Sequence, residues 1–281
     1  SIDASSEPLY VIDGIPVEVI YDINPNDIES ISILKDASSA AIYGASGANG
    51  VVIINTKRGS GKGGKITFDA YVGVSEVSEK LGTLKSSQYI DLMDELGLVA
   101  DWSQYTANTD WQDEIYRTAL RKNYQLSFSG ADNGTNYYIS GNYQDVDGVI
   151  RSNEVQRYSG KVNLSKQIRK WLKIGTNLTY SKWRDVDVTD NAGAGRGGVV
   201  LGALVTPSVI GIFNDDGTYT GNPLQPSWEN PVAGTDAPDK EYHNSRFLGT
   251  VYLEADITDE FQFKTRLSIE DSNGKFTYFL D

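Results

Sequence analysis

The sequence predicts a mainly β protein, in which a small α+β unit is followed by an incomplete antiparallel transmembrane β-barrel of about seven strands out of a larger one. Three observations predict it. From Lys65 onward apolar and polar residues alternate with a period of two, the mark of strands with one apolar and one wet face. The links between these strands alternate short and long. Tight turns on one rim and long loops on the other characterise a membrane barrel, and a soluble sandwich has no reason to sort loop length by parity. No apolar run approaches the roughly 18 residues of a membrane helix, so a spanning chain must cross with strands.

The first 59 residues carry the α+β unit. Apolar runs at Leu9–Ile12, Ile28–Leu34 and 50–55 read as strands, joined by turn signals at Asp13-Gly14 and Asn24-Pro25-Asn26. A short helix is expected between the second and third runs. Asp36 would cap it, Ala37, Ala40 and Ala41 would propagate it, and Gly44 would end it in a left-handed conformation. Residues 60–64 are glycine-rich and read as a flexible linker.

Residues 65–281 carry the barrel portion. Strands are expected at 65–76, 121–131, 135–145, 155–167, 171–183, 245–257 and 260–276. In them Leu126, Ile174, Leu178, Val251 and Leu267 fall on the apolar face, which should point outwards to lipid. Long loops on the outer rim are expected at 77–120 and 184–244. Tyr124, Tyr158, Trp171, Tyr180 and Trp183 lie near strand ends, where interfacial aromatic girdles belong. The chain has no initiator methionine, and Phe276–Leu280 still reads as strand, so the expectation is an internal piece of a longer protein.

Composition narrows the chemistry. The net charge of −13 argues against nucleic acid as a partner, because phosphate binding needs a basic surface. Without cysteine there are no disulfides and no thiolate metal sites, and a single histidine disfavours multi-histidine metal sites and a serine–histidine hydrolase. No cofactor is expected. Near-motifs dissolve on inspection. Gly59 to Gly64-Lys65 approaches a P-loop, but Ile66 stands where Ser or Thr is required and a strand follows. Gly193, Gly195 and Gly198 match a dinucleotide fingerprint by letters only, within a polar loop. Asp215-Asp216-Gly217 reads as a turn rather than a calcium loop. His243 reads as a strand-edge residue, and the carboxylate pairs Asp145/Asp147 and Asp185/Asp187 read as exposed loop acids rather than a glycosidase pair.

The stretch NPNDIESISILKDASSAAIYGASGANGVVIINTKRG at 24–59, with PLYVIDGIPV at 8–17, resembles the plug of TonB-dependent outer-membrane transporters of the SusC/RagA type. TDWQDEIYRTAL at 109–120, RYSGKVNLSKQIRKWLKIGTNLTYS at 157–181 and NPVA at 230–233 are similar to the barrel of that family. The resemblance implies that residues 1–59 are the C-terminal part of a plug lodged in the lumen and that residues 65–281 are the N-terminal part of the barrel. It implies import of a nutrient, an oligosaccharide or in some members a peptide, across the outer membrane of a Gram-negative, Bacteroidetes-like cell. The implied partners are the TonB complex, a SusD-like surface lipoprotein, the glycan or peptide ligand and outer-membrane lipid. The alternative class is a soluble carbohydrate-binding β-module, and no enzymatic activity is expected. Within the plug signature Asp36, Tyr43, Gly44 and Gly50 are expected to be structural. Aromatic planes stack on sugars and amides bond their hydroxyls, so Trp102, Trp111, Tyr219 and Trp228, with Asn214 and Asn222, are the expected ligand or lid contacts.

Overall fold

The computed structural model describes residues 7–20, 22–36, 41–98, 101–188, 198–224, 228–236 and 240–278. Two separate sheets organise them. The first is built from β1 (Leu9–Ile12), β2 (Ile15–Val17), β3 (Ile28–Leu34) and β4 (Val51–Thr56), in the order β2-β1-β4-β3. The β1–β2 turn places both Asp13 (φ 48) and Gly14 (φ 86) at positive φ, the demand of a tight type I′ hairpin. Sequence alternation did not expose β2, because three residues are too few to show a period. β1 runs parallel to β4, which buries Val11, Val51 and Ile54 between strands.

The expected helix after β3 takes another form. Ala37 and Ala40 lie outside the described residues, and Ala41–Gly47 forms 3-10 turns interrupted at Gly44 (φ 61, ψ −147). That combination is a region essentially restricted to glycine, not the left-handed helical cap the sequence suggested.

The second sheet holds seven antiparallel strands in chain order: β5 (Gly63–Ser75), β6 (Ala119–Asp132), β7 (Thr135–Asp147), β8 (Glu154–Arg169), β9 (Leu172–Asp187), β10 (Lys240–Asp256) and β11 (Gln262–Tyr278). Every strand pairs with its neighbour in sequence, and the sheet is open at β5 and β11. Most strands run two or more residues further toward the long loops than their apolar alternation, because polar residues continue the ladder beyond the apolar band. His243 is therefore no edge residue: it sits inside β10, paired on both sides with Arg184 and Lys275. Nor is the glycine-rich connector loose. Ala131 donates its N–H to Gly61 O at 2.9 Å, and β5 already begins at Gly63.

Burial sorts the wall into two faces. Leu126, Ile174, Val251 and Leu267 are exposed, and Leu178 is half-buried. Their alternating neighbours Gln125, Ser140, Asn163, Ser181 and Thr250 are buried. An apolar face left bare and a polar face covered is the inverse of a soluble sheet, where the apolar side is the one packed. On β9 the outward residues from Leu172 to Tyr180 span nine positions before Lys182 and Arg184. A strand needs about 9–11 residues to cross the hydrocarbon layer at its usual tilt. What covers the polar face is the first sheet, whose Ile12, Ile15, Val17 and Ile54 gather around Leu248 of β10. Among the described residues no helix is long and apolar enough to cross a membrane.

Candidate functional site

Three carboxylates of the first unit are buried where it meets the wall, at 2–5% exposure, and each receives hydrogen bonds from wall strands. Asp13, held at the hairpin turn, accepts Thr56 N at 3.0 Å and Thr56 Oγ1 at 2.5 Å from its own unit and Lys161 Nζ at 3.3 Å from β8. Asp22 accepts Ser181 Oγ at 2.8 Å and Arg246 NH1 at 2.9 Å. Asp27 follows a turn in which Asn24 Oδ1 accepts Asn26 N. Its Oδ1 accepts Gln125 Nε2, Tyr138 OH and Ser140 Oγ at 2.7–2.8 Å. Five neighbouring strands, β6 to β10, thus hold the unit through polar groups. Such an interface is specific, since an unmatched buried donor or acceptor costs about 1–3 kcal/mol. Its polar groups can hydrate on parting, whereas the apolar cluster around Leu248 cannot.

No motif or period in the sequence marks these acids as a group. Asp13 stood out only as a turn residue, and Asp22 and Asp27 not at all. The available signal was on the wall: Lys161 and Arg246 are cations on the inward side of the alternation, where a buried partner must exist.

The second candidate region lies among the long loops. α1 (Ser86–Glu95) and α2 (Trp111–Ile115) come from the 77–120 loop, and α3 (Val199–Val205) and α4 (Pro231–Asp236) from the 184–244 loop. Side-chain caps set the starts of α2 and α4: Asp110 accepts Gln112 N at 3.1 Å, and Asn230 accepts Val232 N at 3.0 Å. Their apolar residues pack as one core of Trp111, Ile115, Val188, Ala203, Val209 and Val232. Cross-loop hydrogen bonds reinforce it, from Thr109 Oγ1 to Ile210 O at 2.8 Å and from Ser208 Oγ to Leu84 O at 2.8 Å.

This loop assembly frames a cavity of about 780 Å³ whose lining includes Tyr105, Phe213, Asn214, Asn222 and Trp228. Three of the six expected contact residues meet there, and the others do not. Trp111 is 3% exposed and donates Nε1–H to Pro207 O at 3.2 Å, so its ring faces are spent on the loop core rather than on a ligand. Trp102 packs edge-on against Tyr89 and beside Tyr105, with Nε1–H donated to Asp94 at 3.0 Å. Tyr219 packs at a tilt against Phe213 with ring centroids 5.1 Å apart and donates its hydroxyl to Asp236 at 2.5 Å, a bond that raises its pKa. Asn222 lines the cavity while its Oδ1 accepts Leu224 N at 3.1 Å. Tyr105 and Phe213 are additions that no sequence period marks, since both sit in irregular loops. Asp216 caps its own turn, accepting Thr218 Oγ1 at 2.6 Å and Thr218 N at 3.0 Å, which together hold its carboxyl below the usual range.

The remaining residues are accounted for locally. Asp36 and Gly44 are exposed, Tyr43 packs beside Val11 and Val51, and Gly50 (φ 94) accepts Leu9 N at 3.0 Å. Asp145 and Asp147 pair separately with Lys122 and Arg117 at 3.3 and 3.5 Å, which is ion pairing across the wall and not a facing acid/base couple. Gly193 and Gly195 lie outside the described residues. Gly59 is buried against the backbone of Gly130 and Tyr137, where a side chain would collide.

An antiparallel wall with a bare apolar outside, and a small mixed unit docked on its polar inside, defines a plugged β-barrel. The family model of the TonB-dependent receptor plug domain matches residues 3–51. TonB-dependent receptor P3 of Formosa agariphila is 34% identical over 98% of this chain and 28% of its own length. SusC of Bacteroides thetaiotaomicron is 30% identical over 98% of this chain and 30% of its own. The chain belongs to the TonB-dependent receptors of the SusC/RagA type. It spans less than a third of the length of these curated relatives. The RagAB peptide importer in its open-open state superposes with a TM-score of 0.84 at 27% identity, over 97% of this chain and 35% of the other. The ferric citrate transporter FecA, at 11% identity and a TM-score of 0.59, shares the fold alone.

Proposed function

We propose that the protein serves TonB-dependent import of a nutrient across the outer membrane of a Gram-negative, Bacteroidetes-like cell. The carrying observation is the polar junction around Asp13, Asp22 and Asp27: five strands, β6–β10, hold the unit by hydrogen bonds that can be exchanged for water. Residues 1–59 act as the C-terminal part of the plug, 60–64 as its tether, and 65–281 as the N-terminal part of the barrel. The TonB complex supplies the force, and a SusD-like lipoprotein covers the loop face. The protein is not an enzyme in this reading.

The cargo is an oligosaccharide. Trp228, Tyr105 and Phe213 offer ring faces for sugar C–H surfaces, and Asn214 and Asn222 offer amides for hydroxyls. Peptide cargo is the second reading, favoured by the likeness to the RagAB peptide importer. A soluble carbohydrate-binding module does not account for the exposure of Leu267 and Val251. The test is uptake of labelled oligosaccharides and peptides by cells carrying the native gene or a deletion. Oligosaccharide uptake lost on deletion and on removal of TonB supports the reading. Unchanged uptake, or recovery of the protein in a soluble fraction, overturns it.

A further inference from the structure

The cavity framed by the long loops is electrostatically one-sided. Its described lining holds no lysine, arginine or histidine, and its one carboxylate is Asp215. A short hairpin fixes that carboxylate in place. Phe213 and Tyr219 pair across it, and Gly217 turns it at φ 83. Its internal bonds run through the neighbours of Asp215. Asn214 Nδ2 donates to Thr218 Oγ1 at 2.9 Å and to Tyr219 O at 3.2 Å, and Asp216 accepts Thr218 N at 3.0 Å. Asp215 stands exposed between them.

The neutral polar groups of the lining favour the same kind of ligand. Both Nδ2 hydrogens of Asn214 are spent inside the hairpin, so Oδ1 is what the amide has left to offer. Thr220 donates its hydroxyl to Gly211 O and can only accept from a ligand. Arg151, which shares Asp236 with Tyr219, lends no charge to the cavity. It pairs with that carboxylate at 3.6 Å and donates to Glu114 O at 3.0 Å. The net charge of −13 adds a longer-range field of the same sign.

A uronate or sulfate group entering this cavity gives up water and meets no charged donor in return, while Asp215 repels it. A sugar hydroxyl has a proton to give, and donating it to a carboxylate makes a charge-assisted hydrogen bond. We propose that the loop cavity selects neutral oligosaccharides over those carrying uronate or sulfate groups, with Asp215 as the residue that sets the discrimination. This rests on the oligosaccharide reading above and adds to it the charge class of the cargo.

The test is isothermal titration of the full-length receptor, purified in detergent, with a panel of neutral hexose oligosaccharides and the same oligosaccharides oxidised at C6 to uronates. Each neutral ligand that binds should do so at least tenfold more tightly than its uronate counterpart. Asp215→Asn should shrink that ratio severalfold, and Asp215→Lys should reverse it. Trp228→Ala should weaken both forms alike and leave the ratio standing. Added salt should narrow the ratio in the wild type, because an exposed carboxylate is screened. Equal affinity for the two forms, a preference for the uronates, or a ratio that Asp215→Asn and Asp215→Lys leave unmoved overturns the proposal alone. Binding of peptides with no binding of either sugar form overturns the oligosaccharide reading as well.

Discussion

Asp22 and Arg246 lie 224 positions apart in the chain and 2.9 Å apart in space, and both side chains are 2% exposed. Arg246 also donates to Val19 O and to Glu270, so one guanidinium ties the plug turn to two wall strands. Replacing Asp22 by Ala leaves a buried cation short of its carboxylate, a loss of about 3–5 kcal/mol in docking. Amide exchange of β1 and β4 should rise in Asp22→Ala while β8 and β9 stay protected. The paired change Asp22→Leu with Arg246→Met should recover much of the loss, because it removes the stranded charge.

Asp27 concentrates three wall donors on one oxygen, from Gln125, Tyr138 and Ser140. Asp27→Ala should therefore loosen the plug by several kcal/mol, at about 1–3 kcal/mol for each buried group left unmatched. Leakage of a small antibiotic through the outer membrane is the readout. An unchanged barrier would mean that this cluster does not hold the plug.

Ile139 is 45% exposed at the middle of the apolar band. Ile139→Arg should cost about 2–4 kcal/mol of folding stability in lipid, the price of a cation near the bilayer midplane. Ser140→Ala, on the other face of the same strand, would act through Asp27 instead. Urea titration of folding into vesicles separates the two.

Trp228 and Trp111 should respond oppositely. Trp228→Ala should weaken ligand binding with little change in stability, since it lines the loop cavity. Trp111→Ala should destabilise the loop assembly by about 3–5 kcal/mol, as for other buried tryptophans. Isothermal titration and thermal melting give the two readouts.

The hydroxyl of Tyr219 donates to Asp236, which raises its pKa above that of a free tyrosine. Its folded value lies above its unfolded one, so the order it lends the loop is fully present below the unfolded value. That order is lost as pH rises through the folded one. Phenolate absorbance should appear later for Tyr219 than for exposed tyrosines, and Asp236→Asn should abolish the delay.

The sequence by itself determined the wall. A strand repeats every two residues, so the alternation around Leu126 or Ile174 already states which side chains face out, and turn lengths state the rim. It marked a turn at Asp13-Gly14 from residue type, though not the strand β2 that follows. Where the strands end was less legible, because polar stretches such as Lys240–Asn244 carry the ladder on without an apolar period. Only the tertiary structure decided what fills the concave side. Asp22 reads as one exposed acid among many until the wall curls round and brings Arg246 to it. Only the tertiary structure, too, divided Trp111 from Trp228. Both are tryptophans in long loops, and the difference lies in which one the packing of α2, α3 and α4 encloses. Burial of that kind is a property of segments distant in sequence, and no local period encodes it.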